Sequence, residues 1–257
     1  MYVFELTIPG TWLDYEDRQW TWKIEGLLSH LESLFFEANV ALNLFAMSRE
    51  HIQRPSRESR IAEMDRRSEI SREVEQEMGW DWGSIDAIQV ETEKRFHREK
   101  WSSGQMPQMF ERQKPFIYAR AFLYALDGFD KFLTVLSKEP GVPDKLIQLS
   151  DQVGDAFPDL RMVRNSAQHM EDRARGLGAG KNPKPLDLKP VDNGMVRAPE
   201  GALILNCLNG SKYGCTMADG HYGEVEVSPA SMETLQQILG SVHACFKWKG
   251  PASFRPN

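Results

Sequence analysis

Residues 116–136 read FIYARAFLYALDGFDKFLTVL. Aromatic residues and leucines fall on nearly all sides of a helix with this sequence, the pattern of a bundle centre rather than of a surface helix. Pro115 suits the first helical turn, where a missing N–H costs nothing, and EPGVPD at 139–144 stops the helix. Upstream, Leu27, Leu28, Leu31, Leu34, Phe35, Ala38, Leu42 and Phe45 recur at steps of three and four, so a second long helix with one apolar stripe is expected from Asp17 to Arg49.

Residues 54–78 differ in kind. They mix both charge signs with a sparse stripe of Ile61, Met64, Ile70, Val74 and Met78, which reads as a solvated outer helix laced with ion pairs. Its arginines, Arg54, Arg57, Arg60, Arg66, Arg67 and Arg72, could contact phosphates, but the interleaved carboxylates weigh against that. A helix from Ser84 to Lys100 follows the GWDWG turn. Trp80, Trp82 and Trp101 flank it and are expected as buried anchors rather than as stacking platforms for bases.

Beyond the central stretch, a helix is expected from Pro143 to Phe157. Pro158 and Asp159 then open another that runs to Gly176, with Asp159 as N-cap or first-turn anion. Residues 177–194 are rich in Gly, Pro and Lys and read as a linker. Past them the period becomes that of strands. ALILNCL, KYGCTM and YGEVEV form a three-stranded meander turned at Asn209-Gly210 and Asp219-Gly220, pairs that accept the positive φ of tight hairpins. Ser228 before Pro229 starts a closing helix, and residues 2–8 can form a short strand ending at Pro9-Gly10. The expected fold is mainly α: a helical bundle over 1–176, a linker over 177–194, and a small antiparallel meander with a closing helix over 195–257, packed on the bundle.

The 257 residues carry a net charge of −6, which argues against a dedicated DNA binder but leaves room for a local basic patch on RNA. Cys207, Cys215 and Cys245 are too few for a disulfide framework and fit a reducing compartment. With His221 and His243 they lack the Cys-x2-Cys spacing of a zinc site, so packing is the expected role. MYVFELTIPG has no basic leader region. LLSHLESLFFEANVALNLFAM is broken by His30, Glu32, Glu37, Asn39 and Asn43, so no membrane span and a cytoplasmic location are expected. No phosphate-binding glycine loop, dinucleotide fingerprint or Gly-x-Ser-x-Gly elbow occurs.

Residues 159–176, DLRMVRNSAQHMEDRARG, carry the chemistry. Leu160, Val163, Ala167, Met170 and Ala174 mark a core-facing stripe, leaving Arg161, Arg164, Asn165, Gln168, His169 and Asp172 on the flanks and far side. Asn165 and His169, four apart, share a face. Arg164 and His169, five apart, diverge by roughly 140° on a straight helix. To meet at one phosphate they need converging side chains or a second copy of the helix. Such a pair is commonplace on surface helices and marks no site by spacing alone.

VRNSAQH at 163–169 resembles the signature of HEPN domains (higher eukaryotes and prokaryotes nucleotide-binding): an Arg, a polar residue, then a His, late in a bundle of long helices. Arg164, Asn165 and His169 match it, and the resemblance covers roughly residues 11–176. It implies a metal-independent endoribonuclease with no cofactor and an RNA substrate. It also implies a homodimer whose facing motif helices share one composite site. Arg164, Asn165 and His169 are then catalytic, and Arg161 and Gln168 auxiliary phosphate contacts. An antitoxin or regulatory protein is a further possible partner, and a toxin or antiviral effector the implied setting.

An imidazole exchanges protons near neutral pH, while a guanidinium is always charged and can hold developing charge on phosphate. In one HEPN subgroup a Tyr stands two positions after the His. Here that position is Glu171, so control by tyrosine modification does not carry over. The competing readings are an inert helical module that binds RNA, nucleotide or protein, and an antitoxin-like or structural partner.

Overall fold

A computed structural model describes residues 1–50 and 56–256, so Arg54 lies outside the described residues. The first half of the chain forms β1 (Leu6–Ile8), β2 (Trp12–Leu13), α1 (Arg18–Glu50), α2 (Arg57–Met78), α3 (Ile85–Ser102) and α4 (Gln108–Ser137). The motif region follows with α5 (Lys145–Ala156), α6 (Leu160–Gln168) and α7 (Met170–Ala174). Then come β3 (Val191–Asp192), β4 (Arg197–Ala198), β5 (Cys207–Asn209), β6 (Lys212–Thr216), β7 (Tyr222–Glu226), α8 (Pro229–Ala244), β8 (Trp248–Lys249) and β9 (Ser253–Arg255). The protein is mainly α with small antiparallel sheets. It divides into two compact units, Met1–Ala46 with Phe116–Asn257, and Met47–Pro115.

In the first unit one apolar core draws on every major element. Leu28, Leu31, Phe35 and Leu42 of α1 meet Phe122, Leu126, Phe129 and Leu133 of α4. Leu149 and Val153 of α5, Leu160 and Val163 of α6, and Leu235, Leu239 and Val242 of α8 join the same core. Tyr213, Cys215 and Val225 of the meander belong to it as well. Each such side chain stabilises the fold by about 1.5–3 kcal/mol on leaving water, so α4, buried on most sides, is the element the others are built on.

The meander pairs β5–β6–β7, with Leu208 opposite Tyr213 and Cys215 opposite Gly223. Gly210 and Gly220 hold the positive φ of the two turns. Gly220 is doubly constrained, since a Cβ there would stand 2.0 Å from the Asp187 carbonyl oxygen. That close approach belongs to residues 177–194, which are laced to their surroundings: Leu186 donates to the Gly176 carbonyl, Gly178 to Lys184, and Lys189 to Gly220. The chain ends pair, β1 with β9 and β2 with β8, so Leu6 sits opposite Arg255 and Leu13 opposite Trp248. Ser228 accepts the Ser231 N–H at the start of α8, with Pro229 in the first turn.

Three local expectations are changed or refined. Pro115 lies inside α4, which begins two turns earlier at Gln108. Asp159 stands at the N-cap of α6 as expected but makes no side-chain cap hydrogen bond, and its Oδ2 instead accepts the Glu224 N–H of β7 at 3.1 Å. The third concerns tryptophans of the second unit. There α2 and α3 share only a small cluster of Ile70, Val74, Ile88 and Phe96, with Arg67 over the Phe96 ring at 4.6 Å. Arg66 pairs with Glu69 and Glu99, Arg67 with Glu93, Arg95 with Glu77, and Lys100 with Glu63. Trp80, Trp82 and Trp101 are exposed, Trp82 to 82%. They stand at the helix ends, beyond the reach of so short an apolar cluster.

One buried polar pair sits in the first unit's core. His243 of α8 stacks on Trp248, and its Nε2 lies 3.5 Å from Oε1 of Glu32 on α1. Burial pushes the imidazole down to about 4 from 6.5 and raises the Glu32 carboxyl, so the imidazole is neutral at pH 7. Below pH 6.5 the unfolded chain takes up a proton that the folded imidazole refuses. The stabilisation is therefore complete above 6.5 and declines as pH falls toward 4, by about 1.4 kcal/mol per pH unit. Denaturant unfolding at a series of pH values from 7 down to about 5 should show this slope in the wild type and lose it in His243→Gln; equal slopes would contradict the assignment.

Candidate functional site

α6 buries Leu160, Val163, Ser166 and Ala167 against the core. At about 100° per residue this turns Arg161, Arg164 and Gln168 toward one flank and Asn165 further round. Arg164 is the most constrained of them. Its Nη2 lies 2.9 Å from Oδ2 of Asp127 on α4, and its Nη1 donates to Oε1 of Gln168 at 2.7 Å. Both ends of the ion pair are well covered, with side chains 13% exposed for Arg164 and 8% for Asp127. The Nε of Arg164 is buried without a partner. A guanidinium has five N–H donors, so one N–H on each Nη remains beyond these two contacts.

Charges of both signs surround this pair. Lys131, one turn along α4, reaches the same Asp127 oxygen at 2.7 Å. Arg161 faces the half-buried Asp130, whose carboxyl burial pushes above its ordinary range. Beside Asp130, a polar groove of about 750 Å³ opens between α4 and α5, lined in part by Thr134, Ser150 and Asp151.

His169 is where the straight-helix expectation fails. The helix expected to run unbroken to Gly176 stops at Gln168, and His169 separates α6 from α7 with φ −115° and ψ 45°. Arg173 packs beside this break: its guanidinium is buried and donates to Ser166 Oγ of α6 and to the carbonyl oxygens of Leu177 and Gly178 in the following loop. The His169 side chain is 60% exposed, with Nδ1 3.5 Å from a Glu171 carboxylate oxygen. Within the chain no hydrogen bond joins Arg164 to His169. The structure thus brings Arg164, Gln168 and Asp127 together and leaves His169 facing solvent. Asn165 is half-buried, and its carbonyl accepts the His169 N–H at 3.0 Å.

His169, Glu171 and Asp172 can offer ligand atoms within 4.8 Å of one another, so these three could hold a cation. Asp172 also accepts from Arg175. Cys207 and Cys215 are buried free thiols in the strands, with Cys215 Sγ donating to the Val163 carbonyl.

No protein-family model, curated protein or solved structure matches this chain.

Sequence reasoning missed Asp127 and Lys131. Their signal was present: charged side chains interrupt the most buried helix, and a charge there needs a partner. Without a fold, nothing told which residue that partner was. A double-mutant cycle of Asp127→Asn and Arg164→Gln should give a coupling energy of about 1–3 kcal/mol in thermal or denaturant unfolding; additive effects would show that the pair does not hold α6 to α4.

Proposed function

We propose that this chain is a HEPN-like endoribonuclease that cleaves RNA without a metal, through Arg164 and His169 brought together across a homodimer. The observation that carries the reading is the state of Arg164. A buried carboxylate fixes its guanidinium, leaving two N–H groups for an oxyanion, while His169 stands exposed on a helix break beside it in sequence. Held this way, Arg164 is pre-positioned, the condition under which a charged donor stabilises developing charge most.

The chemistry is a transesterification. The ribose 2′-oxygen attacks the adjacent phosphorus while the bond from phosphorus to the 5′-oxygen breaks. An imidazole takes the 2′-OH proton, and a protonated imidazole returns one to the leaving 5′-oxygen. The products are a 2′,3′-cyclic phosphate and a 5′-OH end, and DNA, lacking the 2′-OH, is spared. Arg164 neutralises the equatorial phosphate oxygens, Asp127 positions Arg164, and Gln168 and Arg161 add contacts to neighbouring phosphates. Asn165 orients His169 through the turn that its carbonyl closes. A toxin or antiviral role and an antitoxin partner belong to the same proposal. The competing reading is an inert helical module for which the Arg164–Asp127 pair is purely structural.

Purified protein incubated with structured RNA and excess chelator should produce fragments with 5′-OH ends that polynucleotide kinase labels directly. Arg164→Ala and His169→Ala should each slow cleavage by about 100-fold or more. Cleavage that survives both substitutions, or that requires an added divalent ion, would overturn the site. No cleavage of any RNA by a confirmed dimer would favour the inert module.

A further inference from the structure

The face of α4 that carries Asp127 extends beyond the residue that holds Arg164. At about 100° per residue, Arg120, Tyr124, Asp127 and Lys131 of α4 fall within one sector of about 60°, and Lys138 lies just past the end of the helix at Ser137. Tyr124 is 38% exposed although it sits in the most buried helix of the first unit. Lys131 and Lys138 are exposed and Arg120 half-buried. Among the described residues neither Arg120 nor Lys138 pairs with a carboxylate. The one acid of the sector, Asp127, is already met by two cations, Lys131 Nζ at 2.7 Å and Arg164 Nη2 at 2.9 Å on the same oxygen. The sector is therefore a net positive stripe with one aromatic ring set one turn from the Asp127-held arginine.

We infer that this face of α4 is a track for single-stranded RNA, with Tyr124 stacking on a base and Arg120 and Lys131 gripping phosphates on either side. The inference rests on the endoribonuclease reading, whose substrate form it names. From Arg120 to Lys131 the helix rises about 16 Å, the length of a few nucleotides. Stacking asks for a ring with a free face, which a duplex with its bases paired inside cannot use. The charge order along the helix, cation, ring, paired acid with Arg164, cation, alternates as the backbone and bases of an unpaired strand do. An acidic protein surface would match the charges but gives no reason for a lone exposed ring between them.

The test separates binding from cleavage. Full-length protein carrying His169→Ala is titrated into a fluorescent single-stranded RNA with 2′-O-methyl riboses, which cannot be cut, and into the same sequence as a duplex. The single strand should bind more tightly. Tyr124→Ala should weaken it about 10-fold, while Tyr124→Trp, which keeps a stacking face, should restore binding. Arg120→Ala and Lys131→Ala should each lower the slope of log Kd against log salt by about 0.7. Circular dichroism melts confirm that the variants fold.

Tyr124→Ala binding within twofold of its parent, or duplex bound as well as single strand, would overturn the track. No binding to RNA would overturn it as well and leave the face to a protein contact. Tyr124-dependent binding in a protein that never cleaves would uphold the track while removing the catalytic reading. Cleavage by the wild type with binding indifferent to Tyr124 and Lys131 would do the reverse.

Discussion

A carboxylate inside the central helix holds the arginine of the motif helix. Removing two charges from water costs several kcal/mol each, and mutual attraction repays this only when geometry and further hydrogen bonds are good. Here Asp127 has both Arg164 and Lys131 on one oxygen, and Arg164 is steadied from its other side by Gln168. The arrangement spends no apolar contact that α4 needs, since Phe122, Leu126, Phe129 and Leu133 still face the core. It follows that charge ties α6 to α4, and that Arg164 is held away from free movement toward its own His169.

The second constraint is the break at His169. Beside it the buried Arg173 guanidinium donates to Ser166 and to two backbone carbonyls. His169 is left at the corner, exposed, with no hydrogen bond to the arginine five residues before it. Both constraints push the two residues of the motif apart within one chain, which is the physical reason the proposed chemistry asks for two chains.

Much of the architecture was legible because it follows from period and turn chemistry. The stripe from Leu27 to Phe45, the apolar run from Phe116 to Leu136, the two glycine turns of the meander and the Ser228–Pro229 start are local signals, and they appear where expected. What escaped notice depends on distant partners. Nothing in the short apolar runs at the two chain ends says that Leu6 will pair with Arg255. Asp159 sits at the N-cap as its sequence suggests, but that its carboxylate bonds the Glu224 N–H of β7 could not be read there. Trp80 and Trp82 look like core residues until α2 and α3 prove too charged to build a core around them. At the site, Arg164 and His169 were visible as residues, but Asp127, Lys131 and the break at His169 needed the fold.

The central claim is that Arg164 of one chain works with His169 of another. Subunit exchange between Arg164→Ala and His169→Ala proteins tests it directly. Each variant alone should be inactive, yet a mixed dimer carries one intact Arg164 and one intact His169, so equal mixing should return an Arg–His pair to the shared site of about half of the dimers. Ribonuclease activity that reappears on mixing is the predicted result. A mixture as inactive as its components, with exchange and dimerisation confirmed, would contradict the account.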